Sequence, residues 1–221
     1  MLWQLGALAR QHQLIIVHGA GSEITAAAAT AGIATQRIDG LRVTPPEVLT
    51  IAQQVLRQTV QPAMKAQLAQ ADIHATVLQD GVTASLLDEA KYGRVGRVTT
   101  IDGDALQAQL NQTGALLIGP LLPDALGALL NVNADDVAMA LANQLGVSAL
   151  HFVTDVPGVL DGSGHLLAKL TPAQMQALTS THVIQGGMTV KLRAGLSLAA
   201  HGTQVTIGSL YGRGTKLTMQ Q

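Results

Sequence analysis

The feature that most constrains the fold of this chain is an alternation of segments with helical and β periodicity. Over residues 134–145 the apolar positions recur at helical spacing, and a β-rich run follows at 149–154. A turn at Asp155-Val156-Pro157-Gly158 precedes a helix opened by Thr171 and Pro172. A helix over 187–200, closed by Gly202, leads into a strand at 204–208. The first half reads the same way, with a helix over 2–13, a buried strand from Leu14 stopped by glycines, and an alanine-rich helix over 22–31. Thr44, ahead of Pro45 and Glu47, predicts a capped helix from Pro45 to about residue 71, kinked or divided at Pro62. Short strands are expected at 73–78, 95–101 and 115–118, with a helix at 104–112. Such alternation specifies an α/β protein with a mostly parallel sheet covered on both faces by helices.

Composition narrows the partners. Hydrophobic residues make up 48% against 12% charged, enough apolar surface for a folded core. Trp3, Tyr92, Phe152 and Tyr211 are the only aromatics and the formal charge is −1, so neither base stacking nor a phosphate-binding surface is provided for, and nucleic acid is not an expected partner. There is no cysteine, which excludes disulfides and thiolate chemistry and suits a reducing cytoplasm. The amino terminus lacks a secretory pattern, and the most apolar stretch, 114–130, is broken by Pro120, Pro123 and Asp124. A soluble cytoplasmic protein without membrane contact is expected, with two lobes meeting near Pro120 to Asn131.

Four short strings carry the possible chemistry. His18-Gly19-Ala20-Gly21-Ser22 joins a buried strand to a helix, where small residues let backbone N–H groups approach an anion. Alone it is equally a tight turn, and it is neither a dinucleotide nor a P-loop motif. Arg42, flanked by apolar residues, presents a fork suited to a carboxylate, although a lone arginine more often pairs at the surface. Asn131 and Asn133 fall on one side of an extended segment, with Asp135 and Asp136 at the start of the next helix. A plain helix cap would explain one asparagine but not both. Lys191 lies one turn inside a helix that begins at Gly186-Gly187, within reach of an anion near that helix start.

In this order the strings closely resemble the amino acid kinase family, and within it the acetylglutamate kinases. The matching segments are IIVHGAG (15–21), GLRVT (40–44), YGRVGRVTTID (92–102), LLNVNADDVAMALA (129–142), TDVPGVLD (154–161) and GGMTVK (186–191). The resemblance implies a three-layer αβα sandwich with a central, mainly parallel sheet. It would form a single domain with an acyl-amino-acid lobe over about 1–125 and a nucleotide lobe over about 126–221. The implied reaction is phosphorylation of the side-chain carboxylate of N-acetyl-L-glutamate by ATP with Mg2+, a step of arginine biosynthesis, in a homodimer built on the helix after Pro45. Two other readings of the same fold are a kinase for another small acid and a ligand-binding or regulatory module without turnover.

Residue by residue, the resemblance assigns Gly19, Ala20, Gly21, Arg42, Asn131 and Asn133 to the acyl-amino acid, with Arg42 on its α-carboxylate. It assigns Thr154, Asp155, Val156, Pro157, Gly158, Val159 and Leu160, with Val183, Ile184, Gln185 and Gly187, to the nucleotide. Lys191 would stabilise charge on the transferring phosphoryl group and Asp135 would orient catalytic lysines. No dedicated protein metal site is implied. Departures from the family pattern are HGAG where HGGG is commoner, no GLSG-like string at 75–80, and a short tail between Ile207 and Gly214. The strand K-x-G-G with which family members begin has no match either, since Met1 leads directly into the first helix. Its lysine and second anion loop are without counterparts, so the 221 residues are expected to make a poor kinase.

Overall fold

The computed structural model describes residues 2–209 and 212–220. Met1, on which the first helix was expected to open, lies outside the described residues, as do Leu210 and Tyr211 within the short tail. Two compact units are present, Leu2–Ala138 and Met139–Gln221.

The first unit runs α1 (Leu2–Ala9), β1 (Leu14–Val17), α2 (Gly21–Thr30), β2 (Arg37–Ile38), β3 (Leu41–Arg42) and α3 (Pro46–Val55). A π-helical turn (Leu56–Val60), α4 (Gln61–Ala69), β4 (Thr76–Val77), β5 (Val82–Leu86) and α5 (Glu89–Tyr92) follow. Then come β6 (Val95–Ile101), α6 (Gly103–Thr113), β7 (Ala115–Ile118), β8 (Leu121–Pro123), β9 (Leu129–Val132) and α7 (Ala134–Leu145), within which the unit boundary falls. An all-parallel sheet has the order β1-β7-β4. All four side chains of β7 are buried, as a continuous apolar run requires of a central strand covered on both faces. A second sheet, β5-β6-β9-β8, is antiparallel except at β6–β9, where Val95 pairs with Asn131. That parallel pairing fixes where Asn131 stands.

Pro62 was expected to kink or divide the long helix, and the backbone resolves the conflict without a break. Proline has no N–H to donate into the helix. The preceding turn widens so that Gln61 N–H reaches Leu56 O, five residues back, and helical dihedrals continue on either side. The expected cap at Thr44 is corrected. Pro45 is the N-cap of α3, with no side-chain cap hydrogen bond, and the Thr44 hydroxyl, fully buried, is turned inward. It donates to Arg42 O at 2.8 Å and accepts from Asn131 Nδ2 at 2.9 Å.

The second unit contains β10 (Ala149–Val153), β11 (Lys169–Leu170), α8 (Pro172–Ser180), α9 (Gly187–Ala200), β12 (Gln204–Gly208) and β13 (Thr215–Leu217). Its sheet has the order β10-β12-β13-β11, parallel between β10 and β12. Leu192 and Leu196 of α9 pack with Phe152, Val205, Ile207 and Leu217 in one core. Thr171 opens α8 with a capping box, its hydroxyl accepting from Gln174 N while Gln174 Oε1 accepts from Thr171 N. Thr171→Ala should therefore cost about 1 kcal/mol in a urea unfolding measurement, with Thr171→Ser close to the parent. An unchanged midpoint in the alanine variant would show that the cap contributes nothing. Among the described residues no helix is long and apolar enough to cross a membrane.

Candidate active site

A cavity of about 230 Å3 opens in the first unit where β1 gives way to α2. Its floor is the glycine loop, Gly19, Ala20 and Gly21, facing Asn131, Asn133 and Asp135 from the end of β9 and the start of α7. The N-cap of α2 is Ala20, which has no side chain to satisfy the helix's first N–H groups, so that end keeps its positive partial charge. Neither Gly19 N–H nor Ala20 N–H donates to another described residue. These are the properties of an anion-facing turn.

Arg42, at the end of β3, lines the same cavity and is only 7% exposed. Its Nη2 donates to Gly21 O at 2.6 Å and to Thr25 Oγ1 at 2.8 Å, which anchors one edge of the guanidinium to the start of α2. Among the described residues no carboxylate lies within ion-pair distance of it. Desolvation, and then the charge of Arg37, lower its pKa. A buried guanidinium held by neutral acceptors and pressed by a second cation is poised for an external carboxylate.

Arg37 lines the cavity as well, and sequence reasoning missed it. It stands directly across the β2–β3 hairpin from Arg42. The connecting residues, Asp39 and Gly40, both have positive φ, 53° and 83°, as a two-residue hairpin turn demands. Asp-Gly between two apolar residues was the signal that could have revealed the hairpin. Asp39 also accepts from Lys91 Nζ and Tyr92 OH, each at 2.8 Å, and these hydrogen bonds lower its pKa. The hairpin that carries both arginines is thereby pinned to α5.

Thr44 is the second residue missed. Through its hydroxyl the backbone of Arg42 and the amide of Asn131 become one rigid group, although 87 residues separate Thr44 from Asn131. Asn133 has the plainer role, its Oδ1 accepting Asp135 N–H at 2.8 Å at the start of α7. Desolvation and the neighbouring Asp135 charge raise the pKa of Asp136. Asp135 itself reaches the cavity.

The residues expected at the nucleotide fall in the second unit, between the end of β10 and the first residue of α9, Gly187. Thr154 N–H donates to Gly208 O, and Val159 N–H donates to the fully buried Thr215 hydroxyl at 2.8 Å. Thr215 in turn donates to Leu167 O, which fixes the loop holding Asp155, Val156, Pro157, Gly158 and Leu160. Val159 and Ile184 are buried in the core, so only their backbone groups are available to a ligand. Val153, Val183 and Val190 expose apolar surface, and Gln185 closes a local turn onto His182 O. Lys191 is the fifth residue of α9, whose N-cap is Gly186 ahead of Gly187.

Comparison with known proteins gives the arrangement a lineage. An acetylglutamate kinase of Chloroflexus aggregans is 40% identical over 208 residues, 90% of this chain and 81% of that protein. The crystal structure of smu.665 from Streptococcus mutans superposes with a TM-score of 0.88 at 32% identity, covering 99% of this chain and 91% of the other. The fold is shared by an N-acetylglutamate synthase of Neisseria gonorrhoeae, solved with coenzyme A and N-acetyl-glutamate. Its TM-score is 0.85 at 22% identity, over all of this chain and 55% of the synthase. Residues 2–209 match the amino acid kinase family, and with the glycine loop and the buried arginine in one cavity the chain belongs to that family.

Proposed function

We propose that this chain transfers the terminal phosphoryl group of ATP to the side-chain carboxylate of N-acetyl-L-glutamate. A carboxylate oxygen attacks the γ-phosphorus, the bond to the bridging oxygen breaks, and an acyl phosphate and ADP result. The observation that carries the reading is Arg42, a buried cation with no carboxylate within ion-pair distance among the described residues, in a cavity it shares with an uncapped glycine turn and Asn131. A carboxylate-bearing substrate suits a site where Arg37 and Arg42, opposite each other on one hairpin, both line the cavity. The names of relatives at 40% and 39% identity favour acetylglutamate over other small acids.

In this reading Arg42 holds the α-carboxylate, Ala20 and Gly21 donate backbone N–H groups to the acyl-amino acid, and Asn131 binds its other end. The nucleotide takes the loop 154–160 and residues 183–185, where the exposed valine surface suits a base. Lys191 stabilises the transferring phosphoryl group and Asp135 has an orienting role, both by family resemblance. An ionised carboxylate is already a nucleophile, so the chemistry asks for positioning and charge stabilisation and not for a general base. Magnesium enters with ATP, as the family resemblance implies. Hydroxylamine, which traps acyl phosphates, tests the proposal: hydroxamate should form with acetylglutamate, ATP and magnesium together. Formation with another small acid but not with acetylglutamate would refute the substrate.

Assembly belongs to the same reading. On α3, Val48 and Ala52 are buried within the chain, whereas Leu49, Ile51 and Val55 are only half-buried on a broader apolar face. We place a twofold contact on that face, making a homodimer. Light scattering over a wide concentration range should give twice the chain mass; a monomer throughout would reject the contact.

A further inference from the structure

His18 lies between β1 and the glycine loop, and at 7% exposure it is one of the few buried polar residues of the first unit. Its Nδ1 is 3.1 Å from Gly19 O. A carbonyl oxygen only accepts, so Nδ1 must carry the proton. Burial pushes the ring's pKa below the ordinary value, more than that hydrogen bond raises it, and the neutral ring leaves Nε2 with a bare lone pair. Nε2 is buried and has no hydrogen-bond partner among the described residues. A side chain kept only for packing would not leave a buried acceptor unpaired, because that costs more than an apolar ring of the same shape.

The surroundings of Nε2 are built for it. A Cβ on Gly119, at the end of β7, would stand 3.3 Å from His18 Nε2 and 3.1 Å from Gln61 Nε2. Glycine there leaves room for the amide donor of Gln61 and the imidazole lone pair on one side of the strand end. Gln61 is the residue that the π-helical turn delivers, its N–H reaching back to Leu56 O. On the other side of the ring, the peptide that His18 grips is the one joining Gly19 to Ala20. In a trans peptide the N–H lies opposite the C=O, so holding Gly19 O fixes the direction of Ala20 N–H.

We infer that His18 is a positioning residue for the glycine loop, its Nδ1–H holding the Gly19 carbonyl so that Ala20 N–H stays set as a donor to the acid substrate. The substrate half of the inference rests on the cavity being the acyl-amino-acid site; the grip itself does not.

The grip is read first in the ligand-free full chain, by long-range proton–nitrogen correlation of the His18 ring. Protonated Nδ1 with bare Nε2 is expected, and the opposite tautomer would overturn the inference. Acetylglutamate titrations then compare the parent with His18→Leu, which removes the donor, and His18→Asn, whose amide nitrogen reaches the place of Nδ1. Leucine should weaken binding about 5- to 10-fold, the worth of one lost hydrogen bond, and asparagine should restore it to within about twofold. Equal affinity in parent and leucine variant, or an asparagine variant as weak as leucine, would overturn the positioning role. If the parent binds no acetylglutamate, the functional reading fails on its own, and Ala20 amide exchange decides the grip: faster in His18→Leu than in His18→Asn supports it, equal rates refute it.

Discussion

Arg42→Ala should weaken acetylglutamate binding by roughly 2 to 5 kcal/mol, a factor of about 30 to 5,000. The range is wide because two effects add. One is the lost charge-assisted pairing with the α-carboxylate; the other is the cost to that carboxylate of entering a cavity whose nearest buried cation is gone. Arg37 remains on the opposite strand, exposed and engaged with Gly40 O at 2.8 Å, which sets a floor beneath the loss. Arg42→Lys separates charge from geometry: an ammonium keeps the positive charge but cannot serve Gly21 O, Thr25 Oγ1 and a carboxylate from one planar fork. Calorimetry on the three proteins, matched for thermal stability, is the measurement. Parent-like affinity in the alanine variant would remove Arg42 from the site and with it the proposed mode of recognition.

How far the sequence revealed this site depended on the range of the interactions. Helix α9, strand β6 and strand β7 lie where periodicity and punctuation placed them, because each is long enough, or apolar enough, to show its period locally. The two-residue strands β2 and β3 have no period to show, and the Asp39-Gly40 turn between them was the one available cue. β11 and β13 escaped for the same reason. At Pro62 the sequence spoke of a conflict without its resolution, since a widened turn and a broken helix begin from the same missing N–H. Thr44 is the clearest lesson. Threonine before Pro-Pro is a good cap by local rules, yet a buried hydroxyl linking Arg42 O to Asn131 Nδ2 overrides them, and nothing near Thr44 in the chain announces a partner 87 residues away. Bringing Gly21, Arg42 and Asn131 together was legible only through family resemblance. Local patterns could place each at the end of an element, but they carry no information on which ends meet.

Lys191→Ala should lower the catalytic rate by about 10²- to 10³-fold while changing acetylglutamate affinity far less, taking the loss of one preorganised charge stabiliser as the measure. The contrast with Arg42 is the point of the experiment. Arg42 is assigned to a ground-state carboxylate and should act on binding; Lys191 is assigned to charge that develops on the phosphoryl group and should act on kcat. Alanine is the best helix former, and Lys191 stands one turn inside a 14-residue helix whose core contacts come from Leu192 and Leu196, so the variant should fold. Lys191→Arg keeps a cation on the same helix and should recover part of the rate. Hydroxamate formation under saturating ATP, magnesium and acetylglutamate reads all three proteins. A parent-like rate in the alanine variant would place the transferring phosphoryl group elsewhere. A rate loss matched by an equal loss of acetylglutamate affinity would instead move Lys191 from the phosphoryl group to the acid, because a residue that serves only the transition state leaves the ground-state complex intact.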